Sequence, residues 1–152
     1  MLYSICKRCR GAWFAAIVAG VFMALAPAES ALAHAVNVRI DLTHQRMDVT
    51  VNGMHYASWV ISSGRQGYRT PTGSYSPKRM RRMHYSSKYD NAPMPHSIFF
   101  HRGYAIHGTD KAHQLGRPAS HGCVRLHPSH AAELYALVMQ YGMANTQIHV
   151  RY

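Results

Sequence analysis

The stretch from residue 36 to residue 61 decides the fold and reads VNVRIDLTHQRMDVTVNGMHYASWVI. Apolar and polar residues alternate through Val36–Leu42 and again through Met47–Val51, which is the period of a β-strand with one buried face. Asn52-Gly53 is the strongest short signal for a hairpin, and Tyr56–Ile61 continues as the return strand. The chain is therefore predicted to open as antiparallel sheet.

Turn residues interrupt this pattern between positions 62 and 97, where no helical period is found. Within this region, Pro77–Pro95 mixes basic residues with tyrosines and prolines, a composition typical of a long exposed flap. The flap is equally compatible with a solvated basic loop and with a loop that faces a substrate. Two short apolar runs, Ile98–Phe100 and Tyr104–Ile106, then predict buried strands, the second of which leads into His107.

After Leu126, the spacing of the apolar residues becomes that of a helix. Pro128 suits the first position of a helix, and Gly142 suits its end. Between them runs an apolar stripe formed by Ala131, Leu134, Tyr135, Val138 and Tyr141. These features predict one packed helix at about residues 128–141, followed by a last strand in Thr146–Tyr152. The predicted fold class is mainly β, mostly antiparallel, with this single helix.

The first 33 residues are predicted to be a secretory signal peptide. Three basic residues between positions 7 and 10 precede the apolar run Gly11–Ala26, and Ala31-Leu32-Ala33 has the small-residue pattern of a cleavage site. A retained membrane anchor is the alternative, but the run is shorter than the roughly 20 residues that span a bilayer. We therefore expect one exported domain, residues 34–152, in the periplasm or cell envelope, with membrane contact only before cleavage.

The charge of this domain indicates its surroundings. Without Lys7, Arg8, Arg10 and Glu29, the 17 basic and 6 acidic residues of the chain fall to 14 and 5, a formal charge of +9. Such a surplus draws a protein towards anionic lipids, acidic glycans and cell-wall carboxylates. No nucleic-acid-binding motif is found, so nucleic acid is not an expected partner.

Cys123 is the only cysteine outside the predicted signal peptide, so it has no partner for an internal disulfide. A lone thiol in an oxidising compartment is either buried and inert or used for its chemistry. A non-catalytic, basic wall-binding module with an inert cysteine is therefore one hypothesis for this chain. The residues around Cys123 favour a second hypothesis, a catalytic site.

Two segments carry the residues of that site, Ile106-His107-Gly108-Thr109 and Ser120-His121-Gly122-Cys123-Val124-Arg125-Leu126. A thiol attacks a carbonyl as its thiolate, so it needs a nearby imidazole to take its proton. His107 and His121 are both candidates, and spacing alone does not choose between them. Peptide N–H groups around Gly122 and Cys123 could face a developing oxyanion.

Arg125 adds a fixed positive charge to this candidate acyl-transfer site, directed at a substrate carboxylate or at a buried acidic partner. A zinc site is the rival from another class, because six histidines accompany the cysteine: His101, His107, His113, His121, His127 and His130. No pair of these residues repeats at a usual ligand spacing, however. We expect no metal and no cofactor.

The two segments resemble the signature of the L,D-transpeptidase catalytic domain, a histidine-glycine pair followed by serine-histidine-glycine-cysteine, one residue and arginine. Asp41–Gly53, Trp59–Gly73 and Pro93-Met94-Pro95 fit the same family. The resemblance covers the chain from about Val36 to its end and implies a β-sandwich-like domain. Where family members often have an asparagine two residues after the arginine, this chain has His127.

The resemblance also implies a role for each site residue. Cys123 would be the nucleophile and His107 the general base, with its ring oriented by the carbonyl of Gly108. His121 and Gly122 would shape the oxyanion site, and Ser120 would brace their loop. The residues expected to contact the substrate are Arg125, Tyr104 and Met94.

The activity implied by the resemblance is that of a peptidoglycan L,D-transpeptidase. Cys123 would attack the carbonyl that precedes the terminal D-alanine of a tetrapeptide stem, releasing D-alanine and leaving a thioester. An amine of another stem peptide would resolve the thioester as a 3-3 cross-link. An envelope protein, water or a free D-amino acid are the alternative acceptors.

Overall fold

The computed structural model describes residues 34–152. These residues form nine strands and one α-helix, namely β1 (Val36–Asp41), β2 (Arg46–Val51), β3 (Met54–Val60), β4 (Gly73–Tyr75), β5 (Arg79–Arg81), β6 (Ser97–His101), β7 (Tyr104–Gly108), β8 (Val124–Leu126), α1 (Pro128–Tyr141) and β9 (Thr146–Arg151). The predicted signal peptide, residues 1–33, lies outside the described part. Within that part, no helix has the length and apolar character needed to cross a membrane.

The first sheet has the strand order β3-β2-β1-β9-β4. Its centre follows the predicted alternation, since Val36, Val38 and Ile40 are fully buried while the side chains between them lie towards solvent. The predicted hairpin is present, with β2 and β3 paired antiparallel on either side of Asn52-Gly53. Strand β9 runs parallel to β1, in a register that sets Ile40 against Val150.

The second sheet has the order β5-β6-β7-β8 and is also mixed, because β7 and β8 run parallel. The mainly β class and the single helix are confirmed, but the sheets are not purely antiparallel. Alternating hydrophobicity reports that one face of a strand is buried, and it carries no information on the direction of the neighbouring strand. The two parallel pairings therefore had no signal in the local sequence.

Helix α1 begins at Pro128 and ends at Tyr141, as predicted. His127 caps its start by accepting a hydrogen bond from the N–H of Ser129, and Gly142 takes a positive φ of 89° at its end. Its buried side chains are Ala131, Leu134, Leu137 and Val138, and they join one hydrophobic core with side chains from both sheets. The helix thus braces β7, which carries His107.

The segment 61–72 connects β3 to β4 of the first sheet without forming helix, and it pairs with β8 and with the loop before β8. Ser62 pairs with Arg125, and Gly64 pairs with Ser120, through isolated bridges. The predicted flap, residues 77–95, begins with the short edge strand β5 and is closed by a bridge between Tyr85 and Pro93. The flap therefore has backbone pairing of its own and returns the chain to β6.

Candidate active site

The parallel pairing of β7 and β8 places the two segments of the motif side by side. Ile106 lies opposite Val124, and both side chains point into the hydrophobic core. Because side chains alternate along a strand, His107 and Cys123 project together from the other face. Both line one cavity of about 680 Å³. A histidine and a cysteine that are distant in sequence thus become diagonal neighbours over a cleft.

His107 is buried, with 6% of its surface exposed. Its Nδ1 lies 2.6 Å from the carbonyl oxygen of Gly108, and since a carbonyl only accepts, Nδ1–H is the donor. The lone pair of Nε2 is then left to accept a proton. Burial lowers the pKa of His107 to about 4, and the hydrogen bond to Gly108 acts in the opposite direction. The ring is a neutral base whose tautomer is set by its own strand.

The side chain of Cys123 packs against Met94, Phe99 and Ala105 on the floor of the cleft. Burial raises the pKa of the Cys123 thiol, while a backbone hydrogen bond with Ala105 and the charge of Arg125 act to lower it. The burial effect is the largest, so the thiol rests in its neutral form. Cysteine and imidazole are therefore both uncharged at rest, and charge arises only when the proton is transferred.

His121 lies in the loop before Cys123 and has a different environment. The Nη2 of Arg65 is 2.8 Å from its Nε2, and because a guanidinium only donates, the Nε2 lone pair is occupied. The ring of Tyr89 stacks on it at a centroid distance of 4.1 Å, and Tyr68 meets it edge-on at 4.7 Å. Of the two histidines that spacing left open, His107 therefore has the free acceptor nitrogen that a base requires.

The loop 120–123 is held by hydrogen bonds to its own backbone. The Ser120 hydroxyl donates to the carbonyl of Cys123 at 2.6 Å and accepts from the N–H of Gly122 at 3.0 Å. Gly122 has a φ of +110°, and a Cβ at this position would lie 2.5 Å from Cε1 of Tyr104. Only glycine fits, because both the backbone conformation and the ring of Tyr104 exclude a side chain.

The two N–H groups beside the predicted oxyanion site have different hydrogen-bond partners. The N–H of Gly122 donates to the Ser120 hydroxyl two residues earlier, at 3.0 Å. In contrast, the N–H of Cys123 donates to no protein acceptor within residues 34–152. Cys123 can thus supply both the sulfur that attacks a carbonyl and an N–H that binds the resulting oxyanion.

Arg125 lines the cavity and is half-buried. Its Nη1 donates to Oε1 of Gln114 at 3.2 Å and reaches the carbonyl of Ala119 at 3.5 Å. Among residues 34–152, no carboxylate lies within ion-pair distance of it. Burial lowers its pKa from the usual arginine value. Of the two predicted partners, a buried acidic residue is thus not present in the described part of the chain.

The other two predicted substrate contacts occupy different places. Met94 lies in the wall of the cavity, beside Cys123. Tyr104 packs against Gly122, and its ring lies 6.3 Å from that of His101, outside the residues that line the cavity. The position of Tyr104 fits support of the loop, and its contact with substrate stays a prediction.

Several supporting residues had not been identified from the sequence. The Thr70 hydroxyl accepts from the N–H of Gly64 and donates to the carbonyl of Gly122, each at 2.9 Å. Gln45 is buried in the turn after β1 and hydrogen-bonds the side chain and N–H of Ser63, whose carbonyl in turn accepts from Ser120. The only signal for such residues is a polar side chain that proves to be buried, and burial is known only after folding.

The flap forms one wall of the cavity. Its lining residues include Lys88, Tyr89, Asp90 and Pro93. Arg79, in the strand at the start of the flap, lies with its guanidinium 4.2 Å from the ring centroid of Phe99 on the same side. Between a solvated loop and one that faces the cleft, the structure supports the second.

Of the histidines considered as zinc ligands, His127 and His130 lie side by side, with ring centroids 5.5 Å apart. In the part of the chain that the structure describes, no three His, Cys, Asp or Glu side chains are grouped so as to hold a metal ion. His127 caps α1, and His130 stacks on Trp59 at a centroid distance of 5.3 Å.

Comparison with known proteins agrees with this geometry. The family model for the L,D-transpeptidase catalytic domain matches residues 36–150. The structure is similar to an L,D-transpeptidase from Stackebrandtia nassauensis, with 30% identity and a TM-score of 0.68 over 78% of this chain and 56% of that one. No curated protein matches the chain significantly.

Two further solved structures share the fold. An L,D-transpeptidase from Mycobacterium smegmatis has 19% identity and a TM-score of 0.70, covering 78% of this chain and 59% of that one. L,D-transpeptidase 3 from Mycobacterium tuberculosis, in complex with a faropenem-derived adduct, has 21% identity and a TM-score of 0.67, covering 78% and 60%. The chain thus spans less than two thirds of the length of each of these structures. With the family model matching most of its length, the chain belongs to the L,D-transpeptidase catalytic domain family.

Proposed function

We propose that this protein is a peptidoglycan L,D-transpeptidase that works through a thioester on Cys123. One observation carries the proposal: Cys123 and His107 project from the same face of adjacent parallel strands into one cavity, with Nε2 of His107 free to accept a proton. Family membership gives the reaction class. The site residues supply the roles that this reaction needs.

In the first step, His107 takes the thiol proton while the sulfur of Cys123 attacks the carbonyl that precedes the terminal D-alanine of a tetrapeptide stem. The N–H of Cys123 binds the oxyanion that forms. The C–N bond then breaks, and the proton held by His107 goes to the amine of the leaving D-alanine. A thioester remains, and both groups return to their neutral states.

In the second step, an amine attacks the thioester and His107 takes its proton. The product is an amide and the free thiol. The acceptor we propose is the side-chain amine of a neighbouring stem peptide, which makes a 3-3 cross-link. An envelope protein as acceptor would instead anchor that protein to peptidoglycan, and water would make the enzyme an L,D-carboxypeptidase.

The charges around the cleft support an anionic donor. Arg125 is a half-buried cation whose partners among residues 34–152 are carbonyl and amide oxygens, which leaves it able to bind a substrate carboxylate. Lys88 and Lys111 add positive charge to the lining, against Asp90 and Asp110. Stem peptides end in carboxylates, so the sign of the charge matches the proposed substrate.

The proposed site of action is the cell envelope. Peptidoglycan lies outside the cytoplasm, and the apolar N-terminal run followed by Ala31-Leu32-Ala33 supports export through a cleaved signal peptide. Detecting the N-terminus of the protein in an envelope fraction would test this. A chain that begins at His34 supports the proposal, and a chain that keeps residues 1–33 contradicts cleavage.

Mass spectrometry of the intact protein tests the reaction. After incubation with a disaccharide-tetrapeptide, we expect an adduct equal to the donor minus D-alanine on the wild type and none on Cys123→Ala. Faropenem provides a second acyl donor, since its strained ring needs only a competent nucleophile. An adduct with faropenem but none with tetrapeptide would establish the nucleophile and reject this substrate. No adduct with either, on folded and reduced protein, would reject the proposed function.

A further inference from the structure

We infer that Arg65 locks His121 as a neutral imidazole protonated at Nδ1, so that this ring presents a hydrogen-bond donor to a carbonyl of the acyl-donor peptide. The inference rests on the proposed function for the identity of the ligand. It makes His121 a substrate-positioning residue, and it makes Arg65 the residue that determines which nitrogen of His121 carries the proton. His107, by contrast, presents an acceptor to the same cleft.

The tautomer follows from the contact with Arg65. All five N–H groups of a guanidinium are donors, and Nη2 of Arg65 lies 2.8 Å from Nε2 of His121. Nε2 must therefore carry a lone pair, and a neutral ring must carry its proton on Nδ1. A doubly protonated ring would set two donors, and two positive charges, against each other at this distance.

The orientation of the ring is held from two further sides. Tyr89 stacks on His121 with an interplanar angle of 11°, and Tyr68 packs edge-on against it. The guanidinium carbon of Arg65 lies 4.7 Å from the centroid of the Tyr68 ring, so the same tyrosine also positions the arginine. The flap and the segment after β3 thus clamp His121 together. Such a clamp reduces the freedom of the ring to rotate.

The Nδ1–H of His121 is left for a ligand. Within residues 34–152, this nitrogen has no hydrogen-bond partner, while the ring lines the cavity that also holds Cys123 and His107. A donor at this position, two residues before the nucleophile, fits a peptide carbonyl next to the scissile bond. The arrangement adds binding energy to the donor peptide and takes no part in the proton transfer.

The state of the ring can be measured without substrate. On protein labelled with ¹⁵N at histidine, long-range ¹H–¹⁵N correlation shows which ring nitrogen carries the proton. We expect His121 to be the Nδ1–H tautomer at neutral pH in the wild type. Arg65→Gln keeps a neutral donor to Nε2 and should retain this tautomer. Arg65→Met removes the donor, so the Nε2–H tautomer should also be populated. Nε2–H or a doubly protonated ring in the wild type would overturn the inference.

Substitutions of His121 test the contact with the donor peptide. The amide nitrogen of asparagine can take the place of Nδ1, whereas that of glutamine reaches the place of Nε2. We expect His121→Asn to keep the KM for tetrapeptide near that of the wild type and His121→Gln to raise it about tenfold, as for one lost hydrogen bond, with kcat little changed. Equal KM values for the two variants, or a loss confined to kcat, would contradict the role.

The two measurements separate this inference from the proposed function. If the wild type forms no adduct with tetrapeptide, the proposed function fails and the carbonyl ligand fails with it, while the tautomer experiment still decides whether Arg65 sets the polarity of His121. If the adduct forms but the ring is protonated at Nε2, the function stands and the inference falls.

Discussion

His107 and His121 are the same residue type beside the same cysteine, yet the fold leaves a free acceptor nitrogen on one ring and a free N–H donor on the other. A carbonyl acceptor holds Nδ1–H of His107 and leaves Nε2 to take a proton. A guanidinium donor holds Nε2 of His121 and leaves Nδ1 with the proton. The comparison shows that the partner of one ring nitrogen determines what the other nitrogen can do.

The two histidines also differ in what keeps them neutral. Burial is the main cause of the lowered pKa at both, and at His107 it brings the pKa to about 4. His121 is only half-buried, and the charge of Arg65 is the second cause of its lowered pKa. The neutrality of His107 is therefore a property of the packed sheet, while that of His121 depends in part on one neighbouring side chain.

The largest expected effect comes from replacing His107, and the same replacement of His121 serves as the comparison. His107→Gln should lower the rate of thioester formation by about 10²–10⁴-fold, the usual contribution of a general base. His121→Gln should change that rate at saturating donor far less, because its ring is not the proton acceptor. Single-turnover acylation followed by mass spectrometry measures both. Comparable losses of rate in the two variants would break the distinction between them.

A pH dependence of stability should follow from the buried ring. His107 has a pKa of about 4 in the folded chain against 6.5 for an unperturbed ring, so between these values the unfolded chain binds a proton that the folded chain does not. The contribution of His107 to the free energy of unfolding is then fully present above pH 6.5. It is lost as the pH is lowered towards 4, by about 3 kcal/mol in total.

Denaturant unfolding across this pH range measures the effect. The wild type should lose the most stability as the pH falls, and His121→Gln should lose somewhat less, because the pKa of His121 is also lowered. His107→Gln should lose the least, because the deeply buried ring is absent. An unchanged slope in His107→Gln would mean that the ring is protonated in the folded protein.

The loop that carries His121 can be disturbed without changing either histidine. Gly122→Ala places a Cβ against Tyr104 at a φ of +110°, and we expect a loss of about 2 kcal/mol or more in the free energy of unfolding. Gly53→Ala is the matched control, because its φ is also positive, +80°, but no atom lies within 4 Å of the added Cβ. Equal losses in the two variants would show that Tyr104 does not restrict the loop.

The smallest expected effect concerns the stacking of the flap on His121. Tyr89→Ala removes the ring and should raise the KM for tetrapeptide by about two- to tenfold, in line with the usual worth of an aromatic pair. Tyr89→Phe keeps the ring and should behave like the wild type. Steady-state release of D-alanine measures both variants. A defect in Tyr89→Phe as large as that in Tyr89→Ala would assign the effect to the hydroxyl.

Much of the second sheet's contribution to the site could be predicted, because its signals are local. The apolar run before His107 indicated a strand that ends at this residue, and Pro128 and Gly142 indicated the bounds of the helix. The part that Gly122 plays in the oxyanion site stays a prediction, and the structure shows a local competitor for its N–H. Ser120 competes for it, and whether a hydroxyl reaches a given N–H depends on torsions that the residue order does not specify.

The amino-acid sequence by itself determined the longer strands, the helix, the candidate nucleophile and the family, because periodicity, turn residues and a dense motif are properties of short segments. Only the tertiary structure decided that β7 and β8 run parallel, that Arg65 and Tyr89 meet His121, and that His107 is the histidine with a free acceptor nitrogen. These contacts join residues far apart in the chain. They depend on how the sheets, the helix and the flap pack together, and burial and hydrogen-bond partners exist only once that packing has formed.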